Sequence, residues 1–209
     1  MKNIYREEWN NFKKDYRLTF FILMGISTAM ALFVYVGLVS QPDLANEAFR
    51  QLSKQFEEAG AFDHLSSSGL FFFLLKNNLR AVLITVLLGL IPVVFLASLS
   101  SIATTGSVGV MLAMTKVQGG DAGLLFLTGI VPHGIVELPA IFLAGSIGIY
   151  LSIQTFKKLF TSHRLEMNYK QVLKQTTRSF LFVVVPMIVI AAVIEAFITP
   201  TIILRFLGI

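Results

Sequence analysis

Residues 129–145 read GIVPHGIVELPAIFLAG, which places Pro132, His133, Glu137 and Pro139 inside a run otherwise apolar enough to cross a membrane. An imidazole and a carboxylate persist at such depth only when the rest of the chain shields them. The rest of the chain is suited to that. Of 209 residues, 55% are hydrophobic and only 14% charged, and the mean hydropathy is +0.75, well above that of a water-soluble domain. Charge-free runs cover Leu18 to Val39 and Ala81 to Leu99, while Gly134 to Phe156 and Ser179 to Ile198 each carry one glutamate and nothing else charged. Runs of about 17 to 25 residues match a hydrocarbon core of about 30 Å. These runs predict an all-α polytopic transmembrane bundle, one membrane domain over residues 1–209, with about five spans plus broken or interfacial half-helices.

The fifth apolar region, Ile102 to Val131, is interrupted by Lys116, Gly119, Gly120 and Asp121. A short crossing over Ile102 to Thr115, with Ala122 to Val131 at or dipping into the interface, gives the parity that the charges require. Segment 1–17 holds Lys2, Arg6, Lys13, Lys14 and Arg17, and segment 157–178 holds Lys157, Lys158, Arg164, Lys170, Lys174 and Arg178. Segment 40–69 has five acids against Arg50 and Lys54. Positive charge collects on the cytoplasmic side. The N-terminal segment and the basic 157–178 loop are therefore expected in the cytoplasm, and the 40–69 loop outside. Span one is too long for a secretory leader, and Thr199-Pro200 is expected to end the last span.

Several chemistries are excluded. Without cysteine there is no disulfide, thiolate catalysis or zinc–thiolate site. The sequence has no Walker lysine motif, no HExxH and no dinucleotide fingerprint. A non-enzyme without a cofactor is expected, and the basic loop is assigned to anionic lipid rather than nucleic acid.

The residues that stand out converge on the extracytoplasmic side. His133 and Glu137 are four apart and share a helical face. Glu195 lies four residues from the end of the last span, at matching depth, and Lys76, Asn77, Asn78 and Arg80 are expected at the outer start of span two. These positions predict one polar cluster of His133, Glu137, Glu195, Arg80 and Asn78, either a structural ion pairing or a site. His133 and Glu137 alone fall short of the three or four ligands of a zinc site, so no metal is expected. No serine, cysteine or second histidine stands near in sequence to complete a catalytic set, His64 and His163 being in the outer and inner loops. Ala140, Ala144, Gly148 and Ser152 form a small-residue stripe for close helix packing, within the chain or across a homodimer. In the outer loop Ala45, Ala48, Phe49, Leu52 and Phe56 recur at helical spacing, as on an amphipathic helix lying on the leaflet or packed on the span ends.

The PHGIVELPA run, with FFFLLKNNLRAVLITVLLG before it and AVIEAFITP near the end, resembles the stage II sporulation protein M family. The positions carrying the likeness are Asn78, Arg80, Gly89, Pro132, His133, Gly134, Glu137, Leu138, Pro139, Glu195 and Pro200. The resemblance implies a multi-pass protein of the prokaryotic cell membrane. It also implies a role as scaffold or anchor for peptidoglycan-remodelling partners, as in engulfment during sporulation. A transport component for peptide or lipid, working with a separate ATPase, is the alternative, suggested by broken apolar segments beside polar residues.

Overall fold

The computed structural model describes residues 2–60, 66–161 and 168–207, and these hold helices and turns with no strand. Five helices are long and apolar enough to cross a membrane: α1 (Ile4–Val39), α3 (Ser67–Leu88), α4 (Val94–Val117), α5 (Ala122–Phe160) and α6 (Tyr169–Phe206). A sixth, α2 (Pro42–Glu58), is shorter and amphipathic. The all-α bundle and its five spans are as expected, but several boundaries differ, and glycine and proline explain how.

A proline lacks its N–H and clashes with the carbonyl four residues back, so it usually breaks a helix. Here Pro132, Pro139, Pro186 and Pro200 all lie inside spans instead. Pro132, Pro186 and Pro200 each stand two residues after a wide π turn, over Phe126–Ile130, Phe180–Val184 and Ile194–Ile198 respectively. The π turn lengthens the loop of backbone before the ring and lets the helix continue. Pro200 therefore does not end the last span; α6 runs on to Phe206. Pro92 acts in the opposite way. It follows Gly89 in the link between α3 and α4, so the charge-free run Ala81 to Leu99 is split between two helices rather than forming one span. Span two is Ser67–Leu88, and Lys76, Asn77, Asn78 and Arg80 sit midway along it, not at its start.

The interruption at residues 116–121 is a turn between helices. Gly119 adopts φ +82°, a value open to glycine at little cost. Its N–H donates to the Lys116 carbonyl at 3.1 Å and that of Gly120 to Thr115 at 2.9 Å, a Schellman closure of α4. Asp121 then caps α5 by accepting from the Leu124 N–H at 3.0 Å. The short crossing of 102–115 is thus a full span over Val94–Val117, and 122–131 is the start of α5 rather than an interfacial piece. Likewise segments 1–17 and 157–178 are largely the ends of helices: Lys157 and Lys158 finish α5, while Lys170, Lys174 and Arg178 begin α6 behind an Asn168–Gln171 capping box. His64, His163, Arg164 and Ser162 lie outside the described residues.

Helix α5 is the centre of the bundle, with 67% of its most apolar stretch buried against 17–28% for the other four spans. Every residue from Ala140 to Ser152 is buried. The small stripe is an intrachain seam. A Cβ on Gly148 would come within 2.7 Å of both the Thr85 carbonyl oxygen and the Ala97 Cβ, so α3 and the start of α4 meet α5 at backbone distance. Ser152 Oγ donates to the Ile91 carbonyl at 2.8 Å on the same face. The stripe is therefore filled by its own chain and offers no open face to a homodimer partner. Helix α2 folds back after a two-residue turn and packs Ala45, wholly buried, and Ala48 against Leu38 of α1 and Ala113 of α4. It lies on span ends rather than free on a leaflet.

Candidate functional site

The α2 end of the bundle carries a cavity of about 250 Å³. Three helices each contribute one face to it, at the i, i+3, i+4, i+7 spacing of a helical stripe. From α3 come Leu74, Asn77, Asn78 and Ala81; from α4 come Thr104, Ser107, Val108 and Met111. Helix α5 supplies His133, Gly134, Glu137, Leu138 and Ile141, and α6 supplies Glu195. Leu52 and Phe56 of α2 complete the lining.

Within this cavity His133 Nε2 stands 3.8 Å from Glu137 Oε2, with both side chains only 13–15% exposed. Glu195 completes the set. One ligand-type atom from each of the three lies within 4.8 Å of the others. Two of the π turns serve this convergence: one ends two residues before Pro132 and three before His133, and the other contains Glu195. A π turn shifts the phase of the side chains that follow it, so residues that a regular helix would point elsewhere share one space. The second imidazole nitrogen is also held. His133 Nδ1 is 3.5 Å from Thr199 Oγ1, and that hydroxyl lies 3.3 Å from the Ile194 carbonyl, which also accepts the Thr199 N–H that closes the π turn.

Arg80 is not part of the set. It is exposed, and it pairs with neither carboxylate. The reason is angular: at about 100° per residue, Arg80 lies about 200° from Asn78, on the opposite side of α3. Asn78 does face the cavity. Among the described residues no lysine or arginine pairs with Glu137 or Glu195, and neither carboxylate has a hydrogen-bond donor. Of the other motif positions, Gly134 and Leu138 line the cavity, Pro132 and Pro200 follow the π turns, and Pro139 sits within α5.

A second polar group joins the opposite, basic end, and sequence reading had missed it. Glu8 of α1 is 5% exposed. It receives Arg178 Nε and Ser179 Oγ, both at 2.5 Å, and Asn11 Nδ2 at 3.4 Å. Arg178 also holds Glu7, and Gln175 Nε2 donates to Asp15 at 2.7 Å and to the Tyr16 hydroxyl at 3.2 Å. The available signal was the Asn-x-x-Gln cap at 168–171 followed by Val172, Thr176 and Ser179 on one face, which marks a helix where a basic loop was expected. Thr199, Thr104, Ser107 and Met111 were also missed; the 104, 107, 108, 111 spacing was visible, but nothing in it named the occupant of the opposite face.

Four apolar helices around a fifth, buried central one, with an ionisable cavity at one end and an ion-paired network at the other, define a multi-pass membrane protein. The family model for stage II sporulation protein M matches residues 18–200, most of the chain, and the protein belongs to that family. No curated protein and no solved structure matches it.

Proposed function

We propose that the protein is a non-enzymatic membrane anchor whose α2 end faces out of the cell and docks an extracytoplasmic partner in cell-envelope remodelling. The N-terminus, the basic end and the 157–178 segment lie in the cytoplasm on this reading, in keeping with their positive charge. The observation that carries it is the place of the cavity, at the α2 end of the bundle. Leu52 and Phe56 of α2 line it, and toward the basic end the Gly148 seam packs α5 against Thr85 of α3 and Ala97 of α4. A permease subunit needs a path that opens alternately to both faces. A receptor surface needs only the one.

Two measurements test this. Single cysteines at Ser53 and Gly119 of the cysteine-free chain label from outside intact cells, whereas one at Ser162 does not; labelling at 162 reverses the orientation. A photo-crosslinking residue at Leu52 or Phe56 is expected to capture a wall hydrolase or its regulator from native membranes, with none captured from Phe72 on the lipid-facing side of α3. Capture of a cytoplasmic ATPase from the basic end, with nothing at 52 or 56, would replace docking by transport.

A further inference from the structure

We propose that His133, Glu137 and Glu195 bind a single divalent first-row transition-metal ion, of which Zn²⁺ is the representative, at the floor of the α2-end cavity. The ion site goes beyond the docking reading and does not rest on it.

Geometry carries the inference. Two carboxylates and an imidazole approach within 4.8 Å, yet no hydrogen bond joins them, and the closest pair, His133 Nε2 and Glu137 Oε2, stands at 3.8 Å. That gap is too long for a hydrogen bond. It is close to the spacing of two donors on one ion, since ligands about 2.1 Å from a tetrahedral centre lie about 3.4 Å apart. The set closes on an ion by side-chain movements of about an ångström or less, available to glutamate torsions. Charge points the same way. Two glutamates facing each other within a membrane span repel unless a cation or a proton lies between them, and no lysine or arginine among the described residues supplies the charge.

The histidine provides an independent observation. Metal-ligating imidazoles characteristically give their other N–H to a fixed oxygen. Here the Thr199 hydroxyl lies between His133 Nδ1 and the Ile194 carbonyl, and with its proton on the carbonyl it accepts the Nδ1–H of His133. Nε2 is then the unprotonated nitrogen, and it stands toward Glu137 Oε2. One imidazole with two carboxylates suits zinc and its neighbours, whereas magnesium and calcium call for more oxygen donors. Three protein ligands leave coordination positions directed into the cavity, beside Asn78 and Thr104.

The test uses the full chain, purified without a histidine tag, stripped with chelator and titrated with ZnCl₂ in nanodiscs. The parent is expected to take up one ion per chain and to melt higher when loaded. Glu195→Gln and His133→Gln are expected to weaken binding by more than about 100-fold, and Thr199→Val, which removes only the orienting hydroxyl, by about 10-fold. In chelator, Glu195→Gln is expected to melt at or above the stripped parent, because it removes the repulsion; this keeps the result readable if the other variants fold poorly. Zinc uptake that survives Glu195→Gln at parental affinity overturns the site, as does a stripped parent that takes up no zinc, which would leave the carboxylates sharing a proton. A parent that takes up no zinc yet crosslinks a partner at 52 or 56 overturns the ion alone, and a parent that loads zinc without the crosslink overturns docking alone.

Discussion

The two ends of the bundle both hold buried carboxylates, and they treat them in opposite ways. At the basic end Glu8 is met by a guanidinium, a hydroxyl and an amide. Each oxygen has a donor, and the network ties the start of α1 to the start of α6. At the α2 end Glu137 and Glu195 face one imidazole and each other across a cavity. A buried ion pair that is fully hydrogen-bonded is a structural device. Carboxylates left without donors, beside a cavity, are the groups that the proposed ion would bind. The pairing state of a buried charge thus separates architecture from site more clearly than the presence of the charge does.

The comparison breaks most readily at Arg178. Replacing it with alanine leaves Glu8 buried and unpaired, and should destabilise the protein by about 3 kcal/mol in detergent unfolding; adding Glu8→Gln should recover much of the loss. A loss below about 1 kcal/mol would mean that the network is decoration and that the two ends do not differ in kind. Next is the seam that separates them. Gly148→Leu forces a side chain into the Thr85 carbonyl and Ala97 and should lower stability by about 1 to 3 kcal/mol through overpacking. Thermal melts equal to the parent would show that α5 can move away from α3 at this seam. The smallest effect is expected at Arg80. Its alanine variant should shift stability by no more than about 0.5 kcal/mol, and a double-mutant cycle with Glu195→Gln should be additive within about 0.5 kcal/mol. Coupling beyond about 1 kcal/mol would bring Arg80 into the cluster and make the two ends alike.

Residues 129–145 announced a membrane helix with a histidine and a carboxylate on one face, because an i, i+4 relation is local and survives any packing. The same local logic made α2 and its apolar positions readable. It failed at prolines and glycines, whose meaning depends on neighbours. Pro200 read as a stop and Pro92 as an ordinary position within a span, although the first is absorbed by a π turn and the second ends a helix. Arg80 was assigned to the cluster by depth alone. Depth follows from residue count, but azimuth follows from where the helix begins, and the start of α3 at Ser67 lay fourteen residues before the charge-free run that marked it.

Composition, run length and charge bias by themselves determined a five-span helical membrane protein, because the thickness of the hydrocarbon core and the expense of burying charge act on each segment separately. Only the tertiary structure decided that Glu195 joins His133 and Glu137, that α3 turns Asn78 inward and Arg80 outward, and that Glu8 meets Arg178 across 170 residues. Those meetings depend on the rotation of each helix about its axis. That rotation is set by backbone contact at Gly148 and by π turns ahead of the prolines, and it appears in no single segment.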